Sequence, residues 1–75
     1  MQRYGNRSGQ SGVVAYELAP DAITVEFAGG KRYVYDTRTP GAEHVQRMQE
    51  LARSGEGLAT YIAQHVREHY ARRVG

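Results

Sequence analysis

The sequence predicts a single α+β domain, in which a three-stranded antiparallel β-meander is followed by two helices packed on one sheet face. A chain of 75 residues has room for one domain with a thin core. Apolar residues alternate with a period of two up to residue 35, and recur at steps of three and four after residue 40. Short polar loops separate the candidate strands, which favours antiparallel neighbours.

Composition and charge narrow the classes of function. The chain contains no cysteine, so it has no disulfide and no thiol nucleophile, and we expect a cytoplasmic location. No apolar run approaches the ~20 residues of a membrane span and no signal-peptide pattern occurs, so we expect no membrane partner. The charge is uneven: residues 1–11 have two arginines and no acid, residues 12–56 have seven acids against five cations, and residues 57–75 have three arginines against one glutamate. Basic ends favour an anionic partner, although short basic tails also serve solubility.

The strands follow a polar N-terminal segment. Residues 1–11 are rich in Gly and Ser and are predicted to be a disordered basic tail, which precedes the domain at residues 12–75. Residues 13–18 form the first candidate strand, and residues 23–27 form the second, with strict alternation of apolar and polar side chains. Residues 32–35 form the third, because three of their four side chains are β-formers.

The loop of the second hairpin decides where Tyr33 and Tyr35 point. A loop of two residues, 29–30, places both rings on the sheet face opposite to Val25, as an exposed platform on which bases stack. A loop of three residues, 28–30, places both rings on the same face as Val25, because a slip of one residue exchanges the two faces.

We favour the three-residue loop, because it sets Glu26 opposite Arg32 and joins the two tyrosines to the apolar residues of the neighbouring strand. The other cross-strand pairs predicted are Val25 with Tyr33, Ile23 with Tyr35 and, in the first hairpin, Leu18 with Ile23. The predicted core face consists of Val14, Tyr16, Leu18, Ile23, Val25, Phe27, Tyr33 and Tyr35.

The C-terminal half has helical periodicity. Thr39 and Pro40 predict the start of a helix, with a hydroxyl at the N-cap and proline at the first helical position. Residues 54–57, Ser-Gly-Glu-Gly, are predicted to end this helix and begin a second one. Arg72 and Arg73 are predicted to close the second helix, where cations meet the negative end of the helix dipole. The apolar and aromatic stripe of the second helix consists of Leu58, Tyr61, Ile62, His65, Val66 and His69.

In order and spacing, these features resemble the KTSC domain family over about residues 11–73. The family is named for its occurrence at the C-terminus of some lysyl-tRNA synthetases, and it also occurs as free-standing small bacterial proteins. The resemblance implies a small non-enzymatic domain, and the synthetase context suggests RNA binding. The resemblance to this family is based on Val25-Glu26-Phe27, the glycine turn, Tyr33-Val34-Tyr35, the joint with Ser54, Gly55, Gly57 and Leu58, and the closing Tyr70.

Two functions remain open, and both are binding functions. The first is RNA binding through basic side chains, because the arginine fork suits phosphate oxygens. The second is a protein–protein module or homodimer that uses the sheet face without helices. The predicted nucleic-acid contacts are Lys31, Arg32, Tyr33, Tyr35, Arg67, Arg72 and Arg73. The predicted protein-binding face carries Val13, Ala15, Thr24 and Val34.

No motif predicts an enzyme, a cofactor, a metal or a small-molecule substrate. Residues 65–69 match the H-x-x-E-H pattern of a zinc-protease class, but only six residues follow to supply a third ligand. Both histidines also fall near the apolar stripe, so we expect them to line the edge of the core or to cap buried polar groups. Gly29-Gly30-Lys31 precedes a strand rather than a helix, and we interpret it as a hairpin turn and not a phosphate loop.

Overall fold

The computed structural model describes residues 1–5 and 12–74. The predicted α+β class is confirmed: one antiparallel sheet has its strands in chain order, and helices cover one face. The predicted meander forms the middle of this sheet, which has five strands instead of three. The elements are β1 Gln2–Arg3, β2 Val13–Ala19, β3 Ala22–Phe27, β4 Arg32–Asp36, α1 Ala42–Ser54, α2 Leu58–Tyr61 continuing into a π-helical turn Ile62–Val66, and β5 Arg72–Arg73.

The central hairpin has the register that follows from the three-residue loop 28–30. The Phe27 amide donates to the Lys31 carbonyl at 2.8 Å, and the Gly30 amide donates to the Phe27 carbonyl at 3.0 Å. Gly29 and Gly30 have φ values of 99° and 92°, a conformation that side chains disfavour. The predicted pairs are confirmed: Val25–Tyr33, Ile23–Tyr35, Glu26–Arg32 and Leu18–Ile23.

A β-bulge changes the predicted pattern at the start of β2. Val13 lies opposite Phe27 and Ala15 lies opposite Glu26, so Val14 is an extra residue with no partner in β3. Val13 is fully buried, whereas Val14 is 40% exposed. The predictions that Val14 belongs to the core and Val13 to the open face are therefore wrong, because the bulge interrupts the alternation.

Residues 1–5 belong to the fold, which corrects the disordered tail predicted for residues 1–11. Gln2 and Arg3 form β1 and pair with β2. Tyr4 is 4% exposed, and its hydroxyl accepts a hydrogen bond from the buried Leu58 amide at 3.1 Å. The remainder of the predicted tail, residues 6–11, lies outside the described residues.

Helix α1 begins two residues later than Thr39 and Pro40 predict. The Asp36 side chain accepts hydrogen bonds from the Arg38 and Thr39 amides, both at 2.9 Å, and Pro40 forms a β-bridge with Asp36. Thr39 and Pro40, which were expected to begin the helix, therefore belong to this turn. Gly41 is the N-cap instead, and it supplies no side-chain cap.

The second helix is shorter than its apolar stripe predicts. The π-helical turn ends at Val66, and Arg67 leaves helical geometry with φ 17° and ψ −94°. The chain then returns to the sheet, where Ala71 and Val74 donate backbone hydrogen bonds to β4 at 2.7 and 2.8 Å. Arg72 and Arg73 therefore form an edge strand, and the prediction that they close a helix is wrong. These bonds pair backbone groups of β4 that would otherwise face solvent.

The core lies between the sheet and the helices. Of the predicted core face, Tyr16, Ile23, Val25 and Tyr35 are buried, whereas Leu18, Phe27 and Tyr33 are half-buried at its periphery. No helix in the described residues is long and apolar enough to cross a membrane. The helices contribute Val45, Met48, Ala52, Leu58, Ile62 and Val66 to the core.

Candidate nucleic-acid interface

The fold brings four of the predicted basic residues to one edge of the sheet. Lys31 directly precedes β4 and Arg32 is its first residue, whereas Arg72 and Arg73 form β5, which pairs with β4. All four residues are exposed. We call Lys31, Arg32, Arg72 and Arg73 the basic edge.

The two arginines of β5 belong to opposite faces of the sheet. Arg72 lies opposite Val34, on the open face, whereas Arg73 lies opposite Tyr33, on the face that the helices cover. Arg32 shares the open face with Arg72, because it lies two residues before Val34 in the same strand. The basic edge therefore presents cations on both sides of the sheet margin.

Arg32 of the basic edge forms an ion pair with a neighbouring strand. Arg32 Nε lies 3.5 Å from Glu26 Oε1. The Arg32 side chain is 49% exposed, so water screens this ion pair and its contribution to stability is at most about 1 kcal/mol. A guanidinium has five N–H donors, so one such contact leaves Arg32 with donors for a second anion.

The open face carries charges of both signs. The exposed apolar surface is smaller than predicted, because Val13 lies in the core and Val34 is only 7% exposed. Arg3 belongs to the basic N-terminal segment, whose arginines were also candidates for phosphate contacts, and β1 places it beside Ala15. The cross-strand rows of this face are Glu17–Thr24–Val34–Arg72 and Arg3–Ala15–Glu26–Arg32.

The two predicted tyrosines lie on the helix-covered face. Tyr35 is 1% exposed, and Tyr33 is half-buried. The Tyr33 ring lies 4.6 Å from the ring of Tyr70 and 5.7 Å from that of Phe27, measured between centroids. A ring buried like that of Tyr35 has no face left for a base, so this register does not form the alternative stacking platform. Both rings instead pack against the ring of Tyr70, which lies two residues before β5.

Burial, with smaller contributions from charge on the neighbouring Tyr33 and Tyr70 hydroxyls, raises the pKa of Tyr35 to about 12. An unfolded tyrosine has a pKa of about 10. The unfolded chain therefore loses this proton first, so the stabilising contribution is complete below about pH 10 and disappears as the pH rises towards 12.

We expect the Tyr35→Phe variant to lose less stability at high pH than the wild type. Between pH 9 and pH 11 the wild type should lose about 1 kcal/mol more, since only its unfolded state gains from ionising this residue. Urea unfolding at the two pH values measures the difference. Equal losses in the two proteins would contradict the raised pKa.

Arg67 follows the π-helical turn and lines a surface groove on the helical side. The groove carries Glu68 beside Arg67, so its charges are balanced. Phe27 and Ile62 contribute apolar surface to it. Arg67 belongs to neither β4 nor β5, and it is not one of the four residues of the basic edge.

The H-x-x-E-H sequence does not produce a helical pair of histidines. His65 lies in the π-helical turn, but His69 lies beyond the end of the helix. The i, i+4 spacing therefore does not place the two side chains on one helix face. In residues 1–5 and 12–74, no three His, Asp or Glu side chains lie close enough to hold a metal ion. His65 instead contacts Tyr61 and His44, and no spacing in the sequence predicts the contact with His44.

Comparisons with known proteins found no relative of this chain. No protein-family model, no curated protein and no solved structure matches the chain. The resemblance to the KTSC domain therefore stays a prediction. The geometry of the basic edge is the structural feature that bears most directly on function.

Proposed function

We propose that this chain is a small cytoplasmic binding module without enzymatic activity, which binds RNA by contacting phosphates through the basic edge. The observation that supports this most directly is the pairing of β5 with β4. It brings Arg72 and Arg73 beside Lys31 and Arg32, which lie far from them in the sequence. Arginine suits this role, because its planar fork donates two parallel hydrogen bonds to a phosphate.

A second explanation exists for arginines in an edge strand. Charged side chains on a sheet edge prevent pairing with another chain. However, β5 has only two residues and is already a poor template for such pairing. Protection of an edge also does not explain Lys31 and Arg32. Lys31 precedes β4 and Arg32 belongs to it, and β4 is paired on both sides. Phosphate binding accounts for all members of the basic edge.

Binding through phosphates predicts a specific dependence on salt. Each phosphate contact releases counterions, so the affinity falls with salt by a logarithmic slope of about 0.7–0.9 per contact. Four contacts from the basic edge give a slope of about 3. Tyr33 and Tyr35 add no base stacking in this register, so we expect little dependence on base sequence.

We expect the double variant Arg72→Glu/Arg73→Glu to weaken RNA binding at least ~10-fold and to lower the salt slope by about 2. Amide-shift NMR titration with bulk tRNA at low and moderate salt measures both quantities. In the wild type, shifts should concentrate at residues 31–32 and 71–74 and weaken with salt.

The matched control is Arg38→Glu/Arg47→Glu, which makes the same change in net charge at exposed residues outside the basic edge. This control should retain most of the affinity. An equal loss in both double variants, or a wild type without shifts at low salt, would contradict the proposal.

The alternative function is protein interaction or homodimerisation through the open face. The cross-strand rows of that face favour it in one respect, since their arginines and glutamates complement a surface of the same kind. The burial of Val13 and Val34 weakens it, because little apolar surface remains exposed there. Sedimentation at two salt concentrations tests it, and a strict monomer in both would contradict a homodimer.

A further inference from the structure

A cluster of three rings on the helical side has no part in the proposed RNA interface. His44 comes from α1, Tyr61 from the end of α2, and His65 from the π-helical turn. The centroid distances are 4.5 Å for Tyr61–His65, 5.8 Å for His44–Tyr61 and 6.2 Å for His44–His65. His44 Nδ1 lies 2.7 Å from the Tyr61 hydroxyl oxygen. His65 is exposed, and the other two residues are half-buried.

We propose that His44 and His65 bind a divalent transition-metal ion, that Tyr61 orients His44, and that water completes the coordination. The hydrogen bond to Tyr61 engages Nδ1 of His44. When Nδ1 carries the hydrogen and donates it to the phenol oxygen, the lone pair of Nε2 is available for a metal. Histidine ligands commonly donate their second ring N–H to an oxygen in this way, which fixes the tautomer and the ring orientation.

The spacing of the two imidazoles is close to what a shared ion requires. Metal–nitrogen bonds of about 2.0–2.1 Å place the two ring nitrogens about 3–4 Å apart. The rings of His44 and His65 have centroids 6.2 Å apart and planes tilted by 35°. Since His65 is exposed, its side chain is free to change rotamer, and the proposal requires one of its nitrogens to share the ion with Nε2 of His44.

The donor set selects the class of ion. Neutral imidazole suits Cu²⁺, Ni²⁺ and Zn²⁺, whereas Mg²⁺ and Ca²⁺ require mostly oxygen ligands. Cu²⁺ binds such a site most tightly in the general order of divalent ions. With two protein ligands the ion keeps open positions for water, so the site exchanges metal readily.

The proposed site connects α1 to the segment that follows the joint at residues 55–57. Binding to the folded state alone raises the midpoint of thermal unfolding. An ion that binds both histidines therefore stabilises the packing of the two helical segments. This gives the test a second readout, which does not depend on spectroscopy of the metal.

The experiment is a Cu²⁺ titration of the labelled full chain, followed by paramagnetic broadening of amide signals and by thermal unfolding. We expect broadening at residues 44, 61 and 65. His44→Ala and His65→Ala should each weaken binding at least ~10-fold, and Tyr61→Phe should weaken it about 10–100-fold. Tyr61→Phe keeps both ligands and the ring contacts, so its effect reports the orientation of His44.

The matched control is His69→Ala, which removes the remaining histidine of the chain, outside the cluster, and should bind as the wild type does. His65→Ala tests the proposal even if another variant folds poorly, because His65 is exposed. Broadening centred on His69 or on the N-terminus, with unchanged affinity in His65→Ala, would overturn the proposal. An unchanged affinity in Tyr61→Phe would overturn the positioning role of the phenol.

Discussion

Deletion of residues 1–11 should lower the free energy of unfolding by about 3 kcal/mol or more, because it removes Tyr4 from the core. Truncating a buried aromatic side chain costs about 3–5 kcal/mol. Domains of this size have a total stability of roughly 4–11 kcal/mol. The shortened chain should therefore lose much of its stability, and urea unfolding measured by circular dichroism gives the difference.

The hydroxyl of Tyr4 contributes to this effect separately from its ring. The Leu58 amide is at the first position of α2, where helix amides have no partner within the helix. Gly57, the N-cap residue, has no side chain that could accept a hydrogen bond. The Tyr4 hydroxyl accepts it instead at 3.1 Å, inside the core. The N-terminal segment thus caps a helix that begins 54 residues later.

Single substitutions separate the two contributions. Tyr4→Phe keeps the ring but leaves a buried amide unsatisfied, which should cost about 1–3 kcal/mol. The matched control is Tyr16→Phe, whose hydroxyl donates to Gln2 Oε1 at 3.1 Å in a half-buried position, and it should cost less than about 1 kcal/mol. Full stability of the deletion variant, or equal costs for the two phenylalanine variants, would contradict this role of Tyr4.

The parts of the fold that the sequence predicted are those with local signals. The register of β3 and β4 followed from alternation, a glycine turn and the facing charges of Glu26 and Arg32. The strands β1 and β5 have two residues each, so they have no periodicity to detect. A nearby tyrosine holds each strand: Tyr4 directly follows β1, and Tyr70 lies two residues before β5. The partners of both tyrosines lie far away in the chain.

The same distinction applies to the candidate site. Charge and residue type predicted Lys31, Arg32, Arg72 and Arg73 individually as candidate phosphate contacts. Their assembly at one edge depends on the return of the chain to β4, whereas the apolar stripe favoured a longer helix. The cluster of His44 and His65 was missed for the same reason, because a contact between two helices has no sequence spacing.

Tyr70→Ala should lower the free energy of unfolding by about 2–4 kcal/mol and should also weaken RNA binding, although it removes no charge. The Tyr70 ring lies 4.6 Å from the ring of Tyr33 and 6.4 Å from that of Tyr35, in a half-buried position. Without this anchor, the two residues of β5 cannot hold their pairing with β4. Hydrogen exchange at the Ala71 and Val74 amides measures the loss of β5, because both donate to β4 in the intact fold.

The RNA affinity of Tyr70→Ala distinguishes the effect of ordered arginine positions from the effect of net charge, because this variant keeps every arginine. Arginines that are held in place pay less ordering entropy on binding, so we expect about a 10-fold loss of affinity when β5 detaches. Tyr70→Phe keeps the aromatic contacts and should resemble the wild type in both stability and binding. If Tyr70→Ala binds tRNA as tightly as the wild type while its Ala71 and Val74 amides exchange rapidly, the arginines act only as a diffuse charge, and the ordered basic edge is not the binding site.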